Sequence, residues 1–87
     1  MIFEDAIKRF KSQFPELIVL RCIDYDDKHF VIEAVENLDI TDYNDPYYGV
    51  DKDTGEVTGF IPALDIDAFF DAVEERTVFT SYPEVDI

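Results

Sequence analysis

The stretch 47-YYGVDKDTGEVTGFIPALDIDAFFDAVEER-76 decides the fold class, because it reads as a complete β-hairpin followed by an acidic amphipathic helix. Tyr47, Tyr48 and Val50 form one apolar, β-favouring run, and Val57, Thr58, Phe60 and Ile61 form a second. Between them, Asp51 can accept a hydrogen bond from the backbone two residues on. Gly55 can take the left-handed conformation that closes a four- or five-residue loop around a type I turn. The same loop offers Asp51, Asp53 and Glu56 as oxygen donors. A calcium loop, however, has a third acid ahead of its glycine and a bidentate Glu at its twelfth position, and position 62 here is Pro. A turn is therefore expected, and no metal.

Pro62 ends the second strand, and Asp65 or Asp67 can cap the helix that follows. Ile66, Phe69, Phe70 and Val73 recur at helical spacing and predict a core-facing stripe. Asp67, Asp71 and Glu74 fall on the opposite stripe, with Arg76 at the end where the helix dipole favours a cation.

The remainder fits around this cassette. Phe3, Ala6, Ile7, Phe10 and Phe14 repeat at helical spacing until Pro15 forbids continuation, so a first helix is expected over residues 2–14 with Lys8, Arg9 and Lys11 facing water. Ile18 to Ile23 is an apolar run, Tyr25 to Asp27 a turn, and His29 to Val35 a second run, together another hairpin. Placing Ile18, Leu20 and Cys22 opposite Ala34, Ile32 and Phe30 gathers apolar side chains on one face. The other face then carries Val19, Ile23, Val31 and Val35 beside Arg21 and Glu33, too apolar to be left in water. The C-terminal tail with Val78, Phe79, Tyr82 and Val85, a second copy of the chain, or a partner protein could cover it.

The expectation is one α+β domain spanning residues 1–87. It has an N-terminal helix, an antiparallel sheet of about four strands in two hairpins, and a second helix, with a core over 1–76 and an acidic tail over 77–87. The length supports a single core, and eight Phe and five Tyr suit it. No long apolar span or secretory leader is evident, so a cytoplasmic location is expected. One cysteine gives neither a disulfide nor a thiolate cluster.

Charge is unevenly spread. The formal net charge is −14, and residues 24–75 alone hold sixteen acids against Lys28 and Lys52. Residues 1–23 carry a net +1. Such a field repels nucleic acid and anionic membrane and speeds association with a basic protein. Catalysis is not expected. Carboxylate pairs are too abundant to be informative, and Cys22 and His29, the only thiol and imidazole, fall on opposite faces of their hairpin with no orienting third group. No phosphate-cradling glycine loop is present, so no cofactor is expected.

A helix, a hairpin with an aromatic-rich second strand, a strand running into VDKDTGEV and a helix of the form LDIDAFFDAVEER together resemble the small bacterial immunity protein 35 family and its YrhB-like relatives, over residues 1–76. The resemblance implies a cytoplasmic antidote that binds and blocks a toxin domain, and the acidic charge of the chain suits a basic toxin or nuclease domain. Two other classes share the acidic surface: a phage or mobile-element mimic of nucleic acid, and a homodimeric assembly module. For an inhibitor, an aromatic hot spot inside an acidic rim is expected. Tyr43, Tyr47 and Tyr48 beside Asp42, Asp45 and Asp51 form the candidate patch, with Asp67, Asp71 and Glu74 on the helix. Replacing Asp42 and Tyr43 with Ala should weaken capture of a basic partner, and an undiminished affinity measured by calorimetry would discard that patch.

Overall fold

The computed structural model describes residues 2–36 and 47–80. Helix α1 (Phe3–Gln13) is followed by strands β1 (Ile18–Asp24), β2 (His29–Val35), β3 (Tyr47–Asp51) and β4 (Val57–Phe60). A single 3-10 turn, Pro62–Asp65, leads into helix α2 (Ile66–Arg76), and strand β5 (Thr77–Thr80) follows directly. The strands form one antiparallel sheet in the order β4-β3-β2-β1-β5. The chain is thus an α+β domain with one strand more than the two hairpins expected.

Both hairpin turns are held by their own side chains. Asp51 Oδ1 accepts from the N–H groups of Asp53 and Thr54 at 2.8 and 2.9 Å, while Gly55 N–H donates to the Asp51 carbonyl at 2.8 Å. Gly55 has φ of 75°, the left-handed value that its position needs, and Arg9 of α1 lies over it so closely that a Cβ would come within 3.2 Å of Nε. In the β1–β2 turn Asp26 Oδ1 accepts from Lys28 and His29 N–H. Lys52 ties the two turns together, donating to the Asp24 carboxylate and the Asp26 carbonyl. Its ammonium also lies 4.8 Å from the centre of the Phe30 ring.

The register differs from the one that apolar matching suggests. Val19 pairs with Ala34 and Arg21 with Glu33, so Leu20 is an extra residue, a β-bulge. The bulge resets the alternation of β1. Val19 and Cys22 join Phe30, Ile32, Ala34 and Val50 under α1, packed against Ala6 and Phe10, whereas Ile18 is left exposed. Phe10, Phe14 and Tyr48 meet there with ring centres 5.0 to 5.5 Å apart.

The second sheet face is covered by α2, not by the tail, a second copy or a partner. Ile23 and Val31 pack against Phe69 and Ala72, with Tyr25, Tyr47, Phe60 and Val73 around them. Arg21, Glu33 and Tyr47 lie side by side across three strands of this face. Tyr47 donates to Glu33 at 3.2 Å, and Arg21 Nε stands 3.9 Å from the other oxygen of that carboxylate. These partners compensate the burial of Glu33, which is only 6% exposed.

The α2 stripe also differs from its periodicity. Phe69 and Ala72 are buried, while Ile66 and Phe70 are 43% and 58% exposed. The helix begins at the Asp65 cap, whose side chain accepts from Ala68 N–H at 3.4 Å, and the Phe69 ring meets Tyr47 edge-on at 4.9 Å. The docked arc is therefore centred on Phe69. Residues 77–80, expected to belong to a tail, extend the sheet along β1, with Phe79 opposite Cys22 and packed on the α1-side core. Tyr82 and Val85 lie outside the described residues.

Phe10→Ala should destabilise the domain by about 3–5 kcal/mol in urea unfolding, the usual loss for a fully buried phenylalanine. Deleting residues 77–87 removes β5 and the Phe79 contact and should cost at least about 2 kcal/mol, roughly 10 °C in Tm for a domain of this size. An unchanged melting curve would show that β5 does not contribute.

Candidate functional site

Charge becomes spatially organised once α2 is laid on the sheet. Its carboxylates Asp71 and Glu75, with Asp65 at the cap, are brought beside the β1–β2 turn. There Tyr25, Asp26, Ala68, Ala72 and Arg76 complete a groove of about 420 Å³. A neighbouring hollow of about 360 Å³ shares Asp26, Glu75 and Arg76 and adds Asp24, Asp27, Lys52 and Val78. Both cations that line these two hollows are engaged by the protein itself: Arg76 donates to the Tyr25 carbonyl at 3.2 Å, and Lys52 to Asp24 and Asp26. The groove thus presents carboxylates to solvent. Burial, then the negative charges of Asp65 and Asp26, raise the pKa of the Tyr25 phenol above its ordinary value.

The opposite layer differs. On α1, Lys8 and Arg9 face Lys52, with Asp5, Ser12 and Asp53 completing a shallow hollow of mixed sign. Among the described residues, charge is acidic in the hollows beside α2 and mixed in the hollow beside α1.

The residues proposed as a contact patch do not share one surface. Tyr47 and Tyr48 are consecutive strand residues and point to opposite faces. Tyr48 packs beneath α1 against Phe10 and Phe14, and Tyr47 packs beneath α2 against Phe69 while holding Glu33. Asp51 braces its turn. The N–H groups of Thr54 and Asp53 hold its carboxyl below the usual range. Asp42, Tyr43 and Asp45 lie outside the described residues. Asp67, Asp71 and Glu74 are exposed on α2 with no ion-pair partner among the described residues.

What periodicity did not reveal is an apolar set beside those carboxylates. Ile61, Leu64, Ile66 and Phe70 are all exposed, Leu64 by 82%. For Ile66 and Phe70 the sequence signal is the width of the α2 apolar arc, which also includes Ala68 and Ala72 and exceeds the roughly 100° stripe with which a helix faces a core.

Cys22 and His29 do not make a nucleophile and base. Cys22 is fully buried under α1, where desolvation, with Asp24 adding, pushes its thiol up to about 12. His29 sits at the hairpin end, its Nδ1 3.3 Å from Asp26 Oδ1. Among the described residues no helix is long and apolar enough to cross a membrane. No protein-family model matches the chain, and no curated protein or solved structure is significantly similar to it.

Two outcomes follow. Cys22 should resist alkylation in the native protein at mildly alkaline pH and react fully on denaturation; rapid native labelling by mass spectrometry would contradict the packing. For Asp26, burial pushes the pKa up, but the Lys28 and His29 N–H groups and the His29 charge outweigh it, so the folded value lies below 3.8, as it does for Asp51. A depressed carboxylate stabilises the fold above its unfolded pKa and loses that contribution as pH falls through the folded value. The pair Asp26→Asn and Asp51→Asn should therefore melt below the parent at neutral pH and converge with it as the pH falls through the depressed folded values.

Proposed function

We propose that this protein acts by binding rather than by catalysis, as an acidic module that engages a basic protein partner through its α2 side. The observation that carries this reading is the concentration of Asp65, Asp67, Asp71, Glu74 and Glu75 on α2 and its capping turn, against Arg76 alone. With Asp24 at the end of β1 and Asp26 and Asp27 of the adjoining turn, Asp65, Asp71 and Glu75 line two neighbouring hollows as an extended anionic surface. Its field accelerates encounter with a cationic protein and repels nucleic acid and anionic lipid. Within this reading, the element order and the VDKDTGEV hairpin favour an immunity-type inhibitor of a basic toxin or nuclease domain, the class that the resemblance to the immunity protein 35 family implies. Such a protein needs one tight partner and no catalytic group.

Capture from host lysate with the tagged protein, at low and high salt and with competing DNA, tests the proposal. One basic protein retained at high salt supports a dedicated inhibitor. Loss of every partner on adding salt or DNA would replace it with mimicry of nucleic acid, whose binding is dominated by screened charge. Recovery of the protein alone would replace it with self-assembly. Charge reversal by Asp71→Lys and Glu75→Lys together should slow association roughly tenfold or more while changing dissociation less, as expected for rim charges; surface plasmon resonance reads both rates.

A further inference from the structure

We propose that Ile61, Leu64, Ile66 and Phe70 are the anchor of this interface, and that their occupant is a cationic amphipathic helix of another protein. The inference rests on the binding of a basic partner and specifies where and through what chemistry that partner docks.

Single exposed apolar residues are ordinary on a protein surface. Four of them within ten residues of chain are not. Ile61, Leu64, Ile66 and Phe70 are 60%, 82%, 43% and 58% exposed, whereas Ile2, Ile18 and Val78, the other large exposed apolar residues described, belong to separate elements. The backbone that carries the set is also held in place. Leu64 N–H donates to the Ile61 carbonyl at 3.2 Å, fixing the 3-10 turn, and the Phe70 ring lies 6.0 Å from buried Phe69. An anchor carried on backbone that is fixed before binding loses less entropy when a partner arrives. Ile66 and Phe70 are four apart on α2, the outermost layer on this side, and so form a ridge of the kind that seats in the groove of a second helix.

Charge selects among occupants. Asp67 and Glu74 stand three and four residues from Phe70 on α2 and so flank it on the helix surface, and a docking surface must carry cations around an apolar centre. A second copy would bring the same carboxylates against themselves. A nucleic acid or an anionic bilayer shares the sign of this surface and is repelled. A helix with Leu-type residues on one face and Lys or Arg flanking it satisfies both requirements. This is the arrangement of an apolar centre within a charged rim that gives interfaces their hot spots.

The test is a titration of the isotope-labelled full chain with two synthetic peptides of equal positive charge and helix propensity, followed by NMR at low and high salt. One peptide has Leu at helical spacing and the other has Gln there. The Leu peptide should bind at least about tenfold tighter at high salt, moving the amides of residues 61–70 most, and Phe70→Ser and Leu64→Ser should each weaken it roughly tenfold, the loss expected of a truncated hot-spot side chain. Both positions are exposed, so the melting curve of either variant should stay within about 2 °C of the parent. Equal affinity for the two peptides would overturn the proposal in favour of simple polyanion behaviour. Concentration-dependent shifts of residues 61–70 without any peptide would overturn it in favour of a second copy. The same variants separate this inference from the one beneath it. A basic protein captured by the parent and bound as well by Phe70→Ser and Leu64→Ser would refute the anchor alone, and failure of the parent to capture any basic protein would refute the binding reading.

Discussion

Strand β2 is buried on both faces, and most of the structure follows from that constraint. From Phe30 to Ala34 every residue is buried, which an antiparallel sheet in so small a chain achieves only if each face carries its own helix. Helix α1 covers Phe30, Ile32 and Ala34, and helix α2 covers Val31. Glu33 is the one charged residue in that run, and Tyr47 and Arg21 on the flanking strands meet it. A polar group at the centre of the sheet thereby fixes which residues of β1 and β3 must lie alongside, and the bulge at Leu20 is what brings Arg21 onto that face.

Much of this was legible in the sequence because it is local. The loop from Asp51 to Glu56 declares itself through an Asp that caps and a Gly that turns, and both do so through bonds spanning two to four residues. The first helix is equally plain, since Pro15 stops a strong apolar period just beyond its end. The features that escaped are those set by tertiary contact. The β1 bulge leaves the apolar count almost unchanged, so nothing in Ile18 to Ile23 marks it. Strand β5 begins at Thr77 with no intervening loop after α2, and four residues of TVFT are too few for alternation to distinguish from a tail. Placing Tyr47 and Tyr48 in one patch failed on the two-residue period of a strand, which sends neighbours to opposite layers.

The acidic groove was only half legible. Composition shows that residues 24–75 are rich in acids, but Asp26 and Glu75 come together solely because α2 runs back across the sheet to feed β5 beside β1. The topology gathers carboxylates from segments some fifty residues apart onto one side. Crowded like charge destabilises the compact state, and nothing in the packing of the sheet requires it there. The cations at hand, Lys52 and Arg76, bind carbonyls and Asp24 close to the turn, leaving the outer carboxylates to solvent.

Phe69 and Phe70 carry the argument furthest. They are adjacent, identical in side chain and opposite in fate: one closes the core between Tyr47 and Phe60, and the other faces water. A helix selected only to cover the sheet would bury Phe69 and Ala72 and be polar at positions 66 and 70, because an exposed aromatic adds nothing to folding and raises the risk of aggregation. The capping turn repeats the pattern with Leu64, the most exposed of the large apolar residues described. Carboxylates are interspersed with these residues, and like charge opposes the pairing of such a surface with itself. Stability therefore accounts for the inner face of α2 and leaves its outer face unexplained, whereas recognition of a cationic, apolar-centred surface accounts for both the aromatic and the acids beside it.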